Sequence, residues 1–109
     1  MVTLEQGRGR EQHGRRPALI IQSEGGNDFS ETTIIAAMSM HAPAGFLFRV
    51  AVSAEESGLR EASTIMLDQL RTISQDRLRE CVGHASPAVM EEVDRALHYS
   101  LGLAGCQIV

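Results

Sequence analysis

Four short segments rich in β-branched and apolar residues fill the middle of this 109-residue chain and constrain its fold more than any other feature. Short links containing glycine, asparagine, aspartate or proline separate them, as is typical of strands in a small β domain. We predict strands at residues 18–22, 32–40, 46–53 and 63–74. Several short strands in succession favour a small barrel or a strongly curled sheet.

One long helix is predicted near the C terminus. Ser86 is a suitable N-cap, Pro87 fits the first helical position, and Gly102 is a natural end. Apolar residues recur at helical spacing between them and form one stripe, which comprises Met90, Val93, Ala96, Leu97 and Leu101. The chain is therefore expected to be an α+β domain, mainly β, with a C-terminal helix.

The remaining segments are short. We predict a loop at residues 23–28, a turn at 41–45 and a short helical turn at 75–80. Val2–Leu4 reads as the tail of a strand, so the first strand is expected to be truncated at the N terminus. A chain of this length is most simply one domain, here residues 1–109.

Charge is distributed unevenly along the chain. The formal net charge of −4 argues against a protein that coats nucleic acid by bulk charge. A local basic patch nevertheless lies at the start of the chain, where Arg15 and Arg16 are separated only by Pro17 from the apolar residues 18–21. Guanidinium groups fit phosphate bidentately, so this pair is a candidate anion site. The alternative interpretation is that both arginines are ordinary loop residues whose side chains are solvated.

Cysteine and histidine spacing gives no sign of a metal centre. Cys81 and Cys106 lie far apart outside any CxxC pair, which predicts reduced thiols, and the four histidines lack metal-ligand spacing. We therefore expect no metal and no cofactor. The sequence shows neither a leader nor an apolar run long enough to cross a bilayer, which predicts a cytoplasmic protein.

Three blocks, taken in order and spacing, resemble the MazF/PemK toxin family. They are GREQHGRRPALIIQ at residues 9–22, MLDQLRT at 66–72 and VDRALHYSLG at 93–102. The resemblance implies an SH3-like barrel of the CcdB/PemK type that forms a homodimer. It also implies the toxin of a type II toxin-antitoxin module, a metal-independent, sequence-specific endoribonuclease that cleaves single-stranded RNA and is blocked by a MazE-like antitoxin.

The resemblance further implies two catalytic residues. The arginine before the proline of the family motif matches Arg16, and the family threonine at the end of the following long strand falls on Ser39. Serine keeps the hydroxyl donor but lacks the methyl group that restricts the threonine rotamer. Arg16 would neutralise the charge that grows on the scissile phosphate, and Ser39 would donate to a phosphate oxygen.

Substrate binding is assigned by the same resemblance to seven residues in the first two blocks, namely Gly9, Arg10, Glu11, Gln12, Arg15, Asp68 and Gln69. The proton acceptor for the ribose hydroxyl is left open among Glu11, His13 and Asp68. Homodimerisation is predicted partly from the apolar stripe of the C-terminal helix, one side of which is expected to pack across the subunit boundary.

Two other functions fit the same fold, because a fold does not determine a function. One is a gyrase poison of the CcdB type, which uses this barrel without nuclease activity. The other is a non-catalytic module that binds RNA or an antitoxin, which Ser39 and the short first strand favour. The arginine-proline block favours the ribonuclease over both.

Overall fold

A curled antiparallel sheet forms the centre of the computed structural model, which describes residues 2–4, 14–103 and 105–109. Its strands are β3 (Ala18–Ile20), β4 (Thr32–Ser39), β5 (Arg49–Val52) and β6 (Ser63–Ser74), arranged in the order β3-β4-β6-β5. A two-stranded ribbon of β1 (Val2–Leu4) and β2 (Gly14–Arg16) precedes them, and β2 packs beside β4. The expected class, mainly β with a C-terminal helix, is confirmed as an antiparallel half-barrel.

The C-terminal helix α3 (Pro87–Leu101) covers one face of this sheet. Val93 is fully buried there, and Met90 and Leu97 are half-buried against the same core. The core on this face comprises Ala36, Met38, Val50, Val52, Ile65, Leu67, Val89, Val93 and Ala96. The apolar stripe of α3 therefore packs chiefly against its own sheet, while Leu101 at its end is 43% exposed, and the packing of one side across a subunit boundary stays a prediction.

The ends of α3 follow the local signals in the sequence. The Ser86 hydroxyl accepts a hydrogen bond from the backbone N–H of Val89 at 3.2 Å, and Gly102 ends the helix with a φ of 58°. The shorter helical turn is confirmed as a single 3₁₀ turn, Gln75–Arg77. No helix in the described part of the chain combines the length and apolarity needed to cross a bilayer.

The loop predicted at residues 23–28 is wrong, because Glu24–Phe29 forms helix α1. The Ser23 hydroxyl caps it by accepting from the Gly26 N–H at 3.1 Å. A contact distant in sequence adds to this, since the side-chain amide of Gln75 donates to the Asn27 carbonyl at 2.8 Å. Two adjacent glycines disfavour a helix by propensity, and these capping and tertiary contacts override that preference.

A second short helix, α2 (Ala54–Ser57), was not predicted. Ser53 and Glu56 form a reciprocal capping box: the Ser53 hydroxyl accepts from the Glu56 N–H at 3.1 Å, and the Glu56 carboxylate accepts from the Ser53 N–H at 2.9 Å. This serine-to-glutamate spacing is a recognised helix start and was available in the sequence. The predicted strand at 46–53 shortens to Arg49–Val52 because α2 follows it and a loop precedes it.

Candidate functional site

Strand pairing aligns polar residues across the end of the half-barrel. Antiparallel pairing places Ala18 opposite Ala37, and the Met38 N–H donates to the Pro17 carbonyl at 3.3 Å. The same register, continued through Pro17, places Arg16 opposite Ser39. Ser39 in turn pairs with Thr64 on β6. Directly opposite residues share a face of a sheet, so these three residues form one row across neighbouring strands.

The chemistry of this row suits an anion. The Ser39 hydroxyl accepts a hydrogen bond from the His41 N–H at 3.1 Å, which holds the oxygen at the end of β4. A hydroxyl that accepts one bond still carries its own proton, which can donate to a phosphate oxygen. Arg16 is exposed and brings a permanent positive charge to the same end. The two predicted catalytic residues therefore lie side by side.

An irregularity in β6 positions the next predicted residue, Asp68. Ala36 pairs with Leu70 but Ala37 pairs with Met66, so residues 67–69 bulge out of the ladder. Such a bulge re-aims side chains. Asp68 forms an ion pair with Arg49, whose Nη2 lies 3.3 Å from the Asp68 Oδ2. The Asp68 carboxylate is thus held by a guanidinium group on the edge strand β5.

Arg49 also anchors the loop that joins β4 to β5. Its Nη1 donates to the Pro43 carbonyl at 3.1 Å, and the Thr64 hydroxyl donates to the Ala42 carbonyl at 3.1 Å. With the bond from His41 to Ser39, three side chains of the site tie residues 40–48 to the sheet. We call this segment the 40–48 loop. Its conformation is coupled to the same residues that form the polar row.

The other predicted site residues are distributed as follows. Gln69 is half-buried on β6, and Arg15 belongs to β2, where its backbone pairs with Thr3. The positions assigned to substrate binding at Gly9, Arg10, Glu11 and Gln12 lie outside the described residues, as does His13. Of the three candidate proton acceptors, Asp68 alone falls in the described part of the chain.

Sequence reasoning did not identify Arg49 or Thr64 as site residues. Arg49 and Asp68 are 19 positions apart in the sequence and meet only because β5 pairs with β6, so no short sequence motif predicts the contact. Thr64 is one of several threonines in the strand segments, and only the register singles it out. An arginine that follows two phenylalanines at the start of a strand was the available signal for Arg49.

Neither cysteine belongs to this row. Both are exposed and unbridged, and the Cys81 thiol lies 4.0 Å from the Nδ1 of His84. Within the described ranges, no three or more histidine, cysteine, aspartate or glutamate side chains cluster as metal ligands would.

The sequence is similar to those of toxins and endoribonucleases. A family model of PemK-like, MazF-like toxins of type II toxin-antitoxin systems matches residues 1–101. Endoribonuclease EndoA of Bacillus subtilis (strain 168) is 41% identical over 96 residues, which cover 87% of this chain and 83% of that protein.

Solved structures show the same fold. A MazE-MazF complex from Deinococcus radiodurans contains a chain that is 25% identical, with a TM-score of 0.73 and coverage of 94% of this chain and 89% of that one. A mycobacterial endoribonuclease in complex with its cognate antitoxin has a TM-score of 0.76 at 22% identity, covering 94% of this chain and 90% of the other.

Proposed function

Because this chain belongs to the PemK-like, MazF-like toxins of type II toxin-antitoxin systems, and is an endoribonuclease of that kind, we propose that it cleaves single-stranded RNA without a metal ion. We assign the catalytic roles to Arg16 and Ser39. The observation that supports this assignment is the register of β3 with β4, which, continued through Pro17, sets Arg16 opposite Ser39 on the neighbouring strand.

The proposed reaction is an in-line attack of the ribose 2′-hydroxyl on the adjacent phosphorus. The hydroxyl loses a proton, the new O–P bond forms, and the bond to the 5′-oxygen breaks as that oxygen gains a proton. The products are a 2′,3′-cyclic phosphate and a free 5′-hydroxyl. Arg16 neutralises the charge that grows on the phosphate, and the Ser39 hydroxyl donates to one of its oxygens. The two residues supply positive charge for the phosphate and hold it in position, which are tasks that a metal ion would otherwise perform. The pair therefore favours a mechanism without a metal.

Single-stranded RNA fits this surface better than a duplex does. An unpaired strand exposes the edges and faces of its bases, whereas an A-form helix presents little that side chains can read. The acidic chain as a whole is compatible with this substrate, because a groove needs only local positive charge. Arg16 supplies that charge, because the charge of Arg49 is balanced by its ion pair with Asp68. The Asp68 carboxylate keeps lone pairs that can accept from a base.

We propose that a MazE-like antitoxin and a second copy of the chain are its protein partners, and that it acts in the cytoplasm, where messenger RNA is found. The related Deinococcus radiodurans structure is a MazE-MazF complex, which supports the first partner. Several exposed apolar residues at the end of α3 and just beyond it support the second, among them Tyr99, Leu101 and Leu103. In sedimentation at micromolar concentration we expect twice the mass of one chain, and a monomer would contradict the dimer.

The hydroxyl of Ser39 gives a direct prediction about rate. Ser39→Ala removes the proposed phosphate donor and the acceptor for the His41 N–H, so we expect cleavage to slow about 100-fold. Ser39→Thr keeps the hydroxyl and restricts its rotamer, so we expect a rate equal to or above that of the wild type. Initial rates on one RNA measure both. Wild-type cleavage by Ser39→Ala would remove Ser39 from the mechanism.

The proposed substrate is tested by comparing one long RNA in two forms. The purified full chain is incubated in EDTA with the RNA alone and with the same RNA annealed to its complement. We expect discrete cuts in the single strand and protection in the duplex. Equal cleavage of both forms would contradict single-strand specificity, and cleavage that appears only when magnesium replaces EDTA would contradict the metal-independent mechanism.

A further inference from the structure

Three of the four aromatic side chains of the chain form a stack that joins the 40–48 loop to α3. The rings of Phe46 and Phe48 lie 5.4 Å apart, centroid to centroid, with 12° between their planes. Phe48 and Tyr99 continue the stack at 6.3 Å and 16°. We call these three rings the aromatic ladder. Phe46 and Phe48 belong to the 40–48 loop and Tyr99 to α3, so Phe46 is the end of the ladder farther from α3.

We propose that Phe46 is a stacking platform for one unpaired base of the RNA substrate, a few nucleotides from the bond that is cleaved. This inference rests on the proposed function and adds a substrate-binding residue to it. The ligand is the flat face of a nucleobase, which any of the four bases supplies. The platform therefore contributes affinity and strand placement rather than sequence choice.

Exposure and charge at Phe46 fit this role. Phe46 remains 49% exposed although it is in a stack, so part of the ring is available to solvent. The guanidinium carbon of Arg49 lies 5.4 Å from the centre of the Phe46 ring and 5.6 Å from that of Phe48. Unpaired bases bind on aromatic rings and on arginine planes, and here the two kinds of surface adjoin.

The platform is held in place before any ligand arrives. Arg49 is fixed by the Asp68 carboxylate and by the Pro43 carbonyl. The Arg49 backbone N–H also donates to the Phe46 carbonyl at 3.1 Å, which closes the end of the 40–48 loop. A preorganised ring loses little conformational freedom when a base stacks on it, so more of the stacking energy appears as affinity.

Arg49 connects the platform to the face of the sheet that carries the proposed catalytic row. Arg49 pairs with Met66, and Met66 pairs with Ala37, which lies two residues before Ser39 on the same face of the sheet. The 40–48 loop begins next to Ser39 and ends at the ladder. Three strand spacings separate the β3 side of the sheet from β5, roughly 14 Å. A strand of RNA held at Arg16 can therefore cross the sheet and reach Phe46.

The inference is tested by binding to an RNA that carries a 2′-deoxy substitution at the cleaved nucleotide, so that it binds but is not cut. Phe46→Ala is expected to weaken binding about 10-fold and to raise KM while leaving kcat near the wild-type value. Phe46→Trp keeps an aromatic face and should bind at least as tightly as the wild type. Leu47→Ala is the matched control, since Leu47 is a 70% exposed neighbour outside the ladder, and it should bind normally.

An abasic scan of the same RNA identifies the base. Removing one base, a few nucleotides from the cleavage position, should weaken wild-type binding as much as Phe46→Ala does. The same abasic RNA should then show no further loss with Phe46→Ala, because the two changes remove one contact. Unchanged affinity in Phe46→Ala would overturn the inference. So would a lower sedimentation mass with unchanged affinity, because the ring would then belong to a protein interface.

These results are distinguishable from a failure of the proposed function. If the wild-type chain cuts single-stranded RNA in EDTA while Phe46→Ala binds normally, the platform alone is wrong. If the wild type neither binds nor cuts RNA, the proposed function itself is wrong.

Discussion

Arg16→Ala is expected to slow RNA cleavage by about 100- to 1000-fold, the usual cost of removing a group that stabilises transition-state charge. Arg16 lies at the end of β2 and, by register, opposite Ser39. The guanidinium group is the proposed partner of the phosphate as its charge grows. Initial rates on a single-stranded RNA in EDTA measure the effect, and circular dichroism verifies that the variant remains folded.

Two matched variants separate this role from charge alone. Arg16→Lys keeps the positive charge but loses the planar fork, so we expect a rate between those of the wild type and Arg16→Ala. Arg95→Ala removes an exposed arginine from α3, which covers the opposite face of the sheet, and should cleave normally. Equal losses in Arg16→Ala and Arg95→Ala would show that bulk charge, rather than a defined site, determines the rate.

Gly58→Ala is expected to cost about 3 kcal/mol or more of folding free energy. Gly58 ends α2 with a φ of 78°, in the left-handed region where a Cβ is strained. A Cβ there would also overlap the carbonyl oxygen of Val82, which belongs to the segment that crosses the end of α2. Gly83 in that segment is also confined, though less tightly, because its own Cβ would lie 2.7 Å from the Ser57 carbonyl oxygen.

Urea denaturation of Gly58→Ala and Gly45→Ala divides this cost into its two parts. Gly45 also has a positive φ, 91°, but a Cβ there would meet no atom within 4 Å. Gly45→Ala should therefore show the backbone strain alone, roughly 1–2 kcal/mol. The larger loss in Gly58→Ala then measures the steric clash. If the two variants lost equal stability, the close approach of the two backbones at Gly58 would not exist in solution.

The features predicted well from the sequence are those determined locally. The caps of α3 at Ser86 and Gly102 form as expected because each depends on the few residues beside it. The long strand at 63–74 also has the expected bounds. Helix α1 could not be found in this way, since two glycines weaken the local signal and Gln75 supports the helix from 48 positions away.

The sequence proposes residue types for the candidate site but not its geometry, and the roles of those residues stay predictions. A family motif can identify Arg16 and Ser39 as candidate catalytic residues. Only the register of β3 with β4, continued to residue 16, indicates that the two lie opposite each other. Asp68 was assigned to substrate binding without its partner, because the bulge in β6 and the pairing of β5 with β6 together create its contact with Arg49. Register and bulges depend on packing over the whole sheet, so single-sequence patterns do not reveal them.

Chemical mapping of the RNA ends produced by the wild-type chain in EDTA tests whether the ribose 2′-hydroxyl attacks the phosphate. We expect discrete cuts, each leaving a 2′,3′-cyclic phosphate on one fragment and a 5′-hydroxyl on the other. A 2′-deoxy substitution at a cut nucleotide should abolish that cut and leave the others. Fragments with 5′-phosphate ends, or continued cutting at the 2′-deoxy position, would contradict an attack by the ribose hydroxyl.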